Sequence, residues 1–431
     1  MYDLAIIGAG PAGYSAAFEA IKNNFSVILF ERDLVGGTCL NRGCVPTKFL
    51  LHVARKYYEA KNSDDGINCN TIDIDFSKTK EKMKRIINTL RIGLISELEK
   101  SGVTIIKGNA LIEKNDTIIS NNIEYKVKNI IIATGSVPNE PIAVCGKTSD
   151  EILELDYIPQ NIKIIGGGSI AVEFAEIFKM LGSNVEILIR GDRILRKWDK
   201  EIAISLTQSL KKNGVILQKE CAFDSLQYSA NETVLSANGR KASIPDVAST
   251  LFDIGKNGGI IVDKNFQTKT KGIFAAGDVI ENSSQLAHVA MEQGRQIVQY
   301  IVNSQEASEK SIINCIYTNP EIATVGITEK ESKELNLNII TAKITMYSNA
   351  RTLISTNERG FIKVIASKDT RKILGAQLMC EHAGELVSEF AMAIDNKMTI
   401  ENMLLSIRPH PSYCESIQDV LLLLQEKANA V

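Results

Sequence analysis

The sequence predicts an α/β protein with two dinucleotide-binding units and an α+β domain after them. Three observations carry this prediction. A glycine-rich turn at Gly8 follows directly on a short apolar strand and opens a helix. The same pattern returns at Gly166. Beyond the polar stretch from Ser304 to Ser311, the pattern changes to sheet strands and an amphipathic helix. The 431 residues fit several domains of roughly 100–200 residues each.

The first unit begins with Leu4-Ala5-Ile6-Ile7, a buried-strand run, and turns through Gly8-Ala9-Gly10-Pro11-Ala12-Gly13. A helical stretch, Tyr14 to Lys22, leads to the strand Ser26 to Glu31. Parallel strands need a crossover of this kind, so the segment reads as a Rossmann-like βαβ unit. Glycines at 8, 10 and 13 let the backbone approach a pyrophosphate at the helix N-terminus. Glu31, at the end of the second strand, is placed to accept from a ribose 2′-OH.

The second unit repeats the order. Asn161 to Ile165 is a strand, Gly166-Gly167-Gly168-Ser169-Ile170-Ala171 the turn, Val172 to Leu181 the helix, and Asn184 to Ile189 the next strand. Ala171 stands in place of the third glycine, and the strand ends on Arg190 rather than an acid. Arg190 and Arg196, with Arg193 between them, are forks suited to a 2′-phosphate. This site therefore reads as favouring NADP(H), with NAD(H) possible. Between the two units, Ile130 to Ser136 reads as a strand ending in a tight turn. Gly272 to Asp278 reads as a strand with an acid at its carboxyl end. In the last third, Lys343 to Met346 and Gly360 to Ala366 read as strands, and Gly384 to Asn396 as a helix.

Composition narrows the function. Lys+Arg is 49 and Asp+Glu is 51, so the formal net charge of −2 offers no electrostatic footprint for nucleic acid or an anionic membrane. No apolar run approaches the ~20 residues of a membrane span. The N-terminus has no basic and apolar leader, so a cytoplasmic location is expected. Four histidines are too dispersed to suggest a metal cluster. Eight cysteines are scattered, but Cys39 and Cys44 stand close together in Gly36-Gly37-Thr38-Cys39-Leu40-Asn41-Arg42-Gly43-Cys44-Val45-Pro46-Thr47-Lys48. An undistorted helix holds positions i and i+5 too far apart to bridge. The glycine pair before Cys39 is therefore expected to bring the sulfurs together. A helix N-terminus and Lys48 are expected to favour a thiolate.

This segment resembles the redox-active signature of the flavin-dependent pyridine nucleotide–disulfide oxidoreductases, and the resemblance covers nearly the whole chain. Its wording is most similar to that of the dihydrolipoamide dehydrogenases, while the arginines of the second unit are similar to a glutathione-reductase-like NADPH site. Ala133-Thr134-Gly135-Ser136, Ala276-Gly277-Asp278 and Leu286-Ala287-His288-Val289-Ala290 match later family motifs. Tyr317 to Gly326 matches the opening of the family's dimerisation domain. The resemblance implies FAD contacts at Gly37, Thr38, Lys48, Ala110, Thr134, Gly135, Asp278 and Ala287, besides the first glycine turn and Glu31. It implies coenzyme contacts at Gly166, Gly168 and Ala171, and an ion pair between Lys48 and Glu173 beside the flavin. In His410-Pro411-Ser412-Tyr413-Cys414-Glu415 it implies an acid–base dyad of His410 and Glu415. Imidazole titrates near neutrality, and a carboxylate partner fixes its tautomer.

The resemblance also implies a domain order. Residues 1–145 and 270–310 would bind FAD, 146–269 the nicotinamide coenzyme, and 311–431 a second copy of the chain. The implied activity is dihydrolipoyl dehydrogenation with a lipoyl-carrying protein as partner. Two readings compete with it: NADPH-dependent reduction of a small disulfide, and a flavin-binding structural component without turnover. Two departures stand out. The family's Gly-Arg-x-Pro-Asn loop is not found before Gly259, where Asp253 to Gly258 stands as a short substitute. Arg408 also replaces a frequent histidine two residues before His410.

Overall fold

The computed structural model describes residues 1–62, 66, 71–143, 145–223, 232–247, 251–355 and 360–430; Cys69 lies outside them. In chain order, β1 (Tyr2–Ile7) enters the first glycine turn, α1 (Pro11–Lys22) leaves it, and β2 (Val27–Glu31) follows. The cysteine segment forms α2 (Gly37–Arg42) and α3 (Cys44–Asn62), followed by α4 (Phe76–Lys100). Next come β3 (Thr104–Lys107), β4 (Leu111–Lys114), β5 (Thr117–Ser120), β6 (Ile123–Ile132), β7 (Ser136–Pro138) and α5 (Ser149–Leu153). The second glycine turn joins β8 (Asn161–Ile165) to α6 (Ser169–Met180), followed by β9 (Asn184–Leu188), α7 (Lys200–Lys212) and β10 (Ile216–Gln218). Then come β11 (Thr233–Ser236), β12 (Arg240–Ala242), β13 (Ile273–Ala275) and α8 (Ala287–Asn303). The last third holds β14 (Asn314–Ile316), β15 (Ile322–Gly326), α9 (Glu329–Glu334), β16 (Ile339–Thr345) and α10 (Ala350–Ser355). It continues with β17 (Phe361–Ser367), β18 (Ile373–Met379), α11 (Ala383–Asp395), α12 (Ile400–Leu404) and α13 (Glu415–Asn429).

These elements form two compact units. One comprises residues 1–166, 180–184 and 222–308, and the other 167–179, 185–221 and 309–431. The segment 146–269 thus contributes to both.

In the first unit, β3, β2, β1 and β6 pair in parallel in that order, and β13 pairs in parallel with β6. Ile6 lies opposite both Leu29 and Ile131. Side chains alternate across the strands, so Leu4, Ile6, Leu29 and Ile131 pack with Ala12 and Ala16 of α1. Ile28, Phe30, Ile130 and Ile132 belong to a separate apolar cluster. Both clusters exclude water, and each large side chain fully buried there stabilises the unit by about 1.5–3 kcal/mol. The carboxyl ends of the strands carry the glycine turn and Glu31, as the general rule for ligand sites in such sheets requires. β8 pairs in parallel with β11. The run Ile130 to Ser136 is, as expected, a strand ending in a tight turn. β6 ends at Ile132, Gly135 takes a φ of +69°, and Ser136 starts β7, which pairs antiparallel with β12.

In the second unit, β14, β15, β18, β17 and β16 form an antiparallel sheet. Val364 and Leu378 pack there with Phe390 of α11 and with Ile417 and Leu421 of α13. Helix α6 joins this unit through two buried acids. Glu173 accepts from the backbone N–H of Tyr317 at 3.0 Å, and Glu176 from that of Asn319 at 2.6 Å. Buried Lys363 of β17 lies within 3.4 Å of Asp199, the N-cap of α7. No helix among the described residues is long and apolar enough to cross a membrane.

Candidate active site

The first glycine turn is built for close approach. A Cβ on Gly13 would lie 1.9 Å from the Gly8 carbonyl oxygen, so the helix packs on the turn only with glycine there. Gly37, at the start of α2, meets the same turn: its Cβ would lie 2.7 Å from the Cα of Gly10. The N–H of Gly36 also donates to the carbonyl of Ala9 at 2.8 Å. Glu31 accepts from the N–H of Ala9 on one oxygen and from that of Asp33 on the other, each at 2.8 Å. Burial nevertheless pushes its carboxyl above the ordinary range. A carboxylate offers about four acceptor sites, so capacity remains for ribose hydroxyls.

Other residues implied as FAD contacts lie in the same unit. Thr134 and Gly135 form the turn after β6, Ala110 is buried just before β4, and Ala287 opens α8. Asp278 follows β13 and accepts from the Ser136 hydroxyl at 2.7 Å. The Thr134 hydroxyl oxygen is buried and has no hydrogen-bond partner among the described residues. A buried hydroxyl without a partner is costly, and a polar cofactor would satisfy it. That orphan and the Gly10–Gly37 approach both fit FAD.

Cys39 and Cys44 face one another as thiols, with their side chains hydrogen-bonded. The break that permits this is Gly43, between α2 and α3, and not the glycine pair before Cys39. A Cβ on Gly43 would lie 2.9 Å from the Thr38 carbonyl oxygen and 3.3 Å from the Cys39 Cα. Only a residue without a side chain lets the start of α3 close onto Cys39. Thr38 lies in α2 and Lys48 in the first turns of α3. The hydrogen bond to Cys44, and then burial, push the Cys39 thiol well above the usual range. The Cys44 backbone N–H and Lys48 act the other way, as expected for a helix start, but are outweighed at Cys39. Together these effects favour the protonated form of Cys39. The half-buried phenol of Tyr14, on α1, lies in the field of both sulfurs, and burial followed by these charges pushes it up to about 12.

His410 and Glu415 meet in the second unit. Nδ1 of His410 lies 2.6 Å from Glu415 Oε1, and Glu415 Oε2 accepts from the N–H of Ser412 at 2.8 Å. These two contacts, the backbone one first, hold the Glu415 carboxyl below its usual range. Glu415 is the first residue of α13, where a negative charge suits the helix dipole. The His410 side chain is 75 % exposed. Arg408 is buried beneath this loop. It ion-pairs with Glu389 of α11 and donates to Gln418 of α13 at 2.6 Å. The guanidinium that replaces the frequent histidine thus ties the His410 loop to two helices.

For the nicotinamide coenzyme, Gly166 follows β8, Gly168 precedes α6, and Ala171 is fully buried in the first turn of α6. Arg190 follows β9. Arg193 donates to the carbonyl of Arg196 at 3.1 Å, and Arg196 lies 4.0 Å from Asp192. The Arg196 side chain is 70 % exposed, which leaves its fork accessible. Gly239-Arg240, passed over in the sequence, supplies the Gly-Arg pair sought before Gly259. It opens β12 beside β7, with Ala242 and Ser243 where proline and asparagine are expected. The signal for it in the sequence is its place after the apolar pair Val234-Leu235, with three residues between. Near Gly259, Glu281 instead accepts from the N–H groups of Asn257 and Gly259, each at 2.9 Å.

The fold and this site define a flavin- and pyridine-nucleotide-linked dithiol oxidoreductase, and comparison with known proteins agrees. The family model described as pyridine nucleotide-disulphide oxidoreductase matches residues 2–294, and that family's dimerisation domain matches residues 312–421. The chain is 32 % identical to a dihydrolipoyl dehydrogenase of Mycoplasma genitalium, over 97 % of each chain. It is 34 % identical to one of Buchnera aphidicola, over 96 % of this chain and 94 % of that one. Among solved structures, the HOCl-induced flavoprotein disulfide reductase RclA from Escherichia coli superposes with a TM-score of 0.88 at 26 % identity. That match covers 98 % of this chain and all of the other. LpdA from Mycobacterium tuberculosis shares the fold, with a TM-score of 0.89 over 98 % of this chain and 99 % of that one, at 22 % identity. The protein belongs to the pyridine nucleotide-disulphide oxidoreductase family and is an oxidoreductase.

Proposed function

We propose that the protein is a dihydrolipoyl dehydrogenase, oxidising a protein-bound dihydrolipoyl dithiol to its disulfide while a nicotinamide coenzyme takes up a hydride, with NADP(H) preferred. The observation that carries this reading is the Cys39–Cys44 thiol pair closed at Gly43 in the unit that holds the FAD cradle. Relatives named as dihydrolipoyl dehydrogenases match over nearly the full chain. The proposed division assigns 1–145 and 270–310 to FAD, 146–269 to the coenzyme and 311–431 to a homodimer interface. A cytoplasmic location is part of the same reading.

The residues act as follows. Nε2 of His410 takes a proton from one substrate thiol, while Glu415 holds the ring through Nδ1. The resulting thiolate attacks the Cys39 sulfur of the oxidised Cys39–Cys44 pair, and Cys44 leaves as a thiolate. The second substrate thiol then attacks the substrate sulfur of that mixed disulfide, forming the substrate disulfide and breaking its bond to Cys39, which leaves with the proton of that thiol; the pair then carries two electrons. Lys48 offsets charge at the pair, as does the N-terminus of α3. Bound FAD supplies the electron transfer between the dithiol pair and the nicotinamide. The first glycine turn and Glu31 would hold it, with Lys48 beside its reactive ring.

The test is a set of steady-state rates with dihydrolipoamide, glutathione disulfide and CoA disulfide, each with the NAD and NADP couples. The fastest turnover is expected with the lipoyl substrate. A higher rate with a small disulfide would favour a reductase, and no turnover with any substrate would favour a structural flavoprotein. Each arginine contact to a 2′-phosphate is worth ~1.5–3 kcal/mol. Arg190→Ala with Arg196→Ala is therefore expected to raise KM for the NADP couple far more than for the NAD couple. An unmutated enzyme that prefers NAD would overturn the coenzyme assignment.

A further inference from the structure

Arg240 reaches the FAD unit from outside the recognised flavin motifs. It lies at the start of β12, four residues after the end of β11, and its side chain is only 12 % exposed. Its Nε donates to the Ser136 hydroxyl oxygen and one Nη to the Ser136 carbonyl, both at 2.9 Å. The other Nη lies 3.6 Å from Asp150. Ser136 in turn donates its hydroxyl proton to Oδ2 of Asp278 at 2.7 Å.

A hydroxyl has one proton to give and two lone pairs to receive. Donation from a guanidinium fills one lone pair, polarises the O–H and leaves its proton to Asp278. Arg240 and Asp278 are thus linked by a directed chain, and Ser136 cannot turn its proton elsewhere without losing it. Oδ2 of Asp278 is held, and the carboxylate presents its remaining acceptor sites in one orientation. An ionised carboxylate only accepts, so its partner on the cofactor is an O–H or N–H donor of FAD. We propose that Arg240 is a positioning residue for the flavin-binding carboxylate of Asp278, acting through Ser136. This rests on the reading of Asp278 as an FAD contact. It places a determinant of flavin affinity on the chain segment that leaves β11.

The test measures FAD binding to apoprotein by quenching of FAD fluorescence, alongside urea unfolding of the same apoproteins. Arg240→Lys keeps a charge beside Asp150 but cannot span both Ser136 oxygens. It is expected to raise the Kd for FAD roughly 10- to 100-fold, the range for one hydrogen bond to a charged group, with apoprotein unfolding little changed. Ser136→Ala is expected to do the same. The two together are expected to add less than about threefold to either alone, because they break one chain. Wild-type affinity in Arg240→Lys, or losses that multiply in the double variant, would overturn the inference. So would an apoprotein whose unfolding midpoint falls in proportion to its FAD affinity, since that marks a merely structural role. Asp278→Asn separates the two readings. If it binds FAD like the wild type, the flavin assignment fails; if it alone weakens binding, only the role of Arg240 fails.

Discussion

Cys39 and Cys44 have the same side chain, and the proposed mechanism gives them different tasks. The hydrogen bond to Cys44, and then burial, hold the Cys39 thiol above its usual range, which suits Cys44 as the sulfur that carries the charge of the reduced pair. Cys39→Ser is expected to leave a Cys44 thiolate beside oxidised flavin, with a long-wavelength charge-transfer band and no dithiol turnover. Cys44→Ser should lack the band. Identical spectra from the two variants would show that the roles are misassigned. Tyr14 extends the same field. Its phenol is raised from 10.0 to about 12, because burial and two nearby sulfurs disfavour the phenolate. A folded-state pKa raised in this way contributes stability fully below pH 10, and that contribution is lost as pH climbs through about 12. An alkaline absorbance titration of wild type against Tyr14→Phe should therefore show the missing phenolate only near pH 12. A missing step near pH 10 would mean that Tyr14 is solvated and distant from the pair.

The junction of α2 and α3 shows how one glycine sets the geometry of a redox pair. Gly43→Ala places a Cβ against the Thr38 carbonyl and the Cys39 backbone, neither of which can yield without moving a sulfur. Overpacking of this kind costs about 1–3 kcal/mol. Misplacement by an ångström costs roughly 10²-fold in rate. Dithiol turnover in Gly43→Ala is thus expected to fall by one to two orders of magnitude while FAD stays bound; an unchanged rate would mean that the helix break is not set here. The cysteine spacing announced a distortion, but not its place. Gly36 and Gly37 looked like the hinge because a glycine pair is the commoner signal, and the close approach at Gly43 involves an ordinary φ that no local pattern marks. By contrast, β1, α1 and β2 are legible to within three residues at their starts and exact at their ends, since strand, turn and helix each leave a periodic trace. Arg240 was not, because Ala242 and Ser243 interrupt the expected wording and its partners Ser136 and Asp278 are distant in sequence. Contacts between remote segments leave no period to read.

The dyad and the thiol pair lie far apart in the chain, His410 and Glu415 in the last domain and Cys39 and Cys44 in the first. His410 is largely exposed, its loop is fixed by Arg408, and the surrounding segment matches the family's dimerisation domain. A base must come within ~2.6–3.2 Å of the proton it moves, or act through one water. If the His410–Glu415 dyad of one subunit serves the Cys39–Cys44 pair of the partner, a two-fold dimer carries two shared sites, because its interface is self-complementary. A Cys39→Ser chain and a His410→Gln chain are each inactive as homodimers under this arrangement. Mixed under conditions that exchange subunits, they form heterodimers in which one site holds both lesions and the other neither. About half the wild-type activity per heterodimer is then expected to return, provided that the sites act independently. Native mass spectrometry fixes the heterodimer fraction, so the activity can be scaled to it. Heterodimers without activity would place the dyad and the thiol pair of each site in one subunit. A dilute monomer with full turnover would do the same, and would also remove the dimer from the catalytic unit.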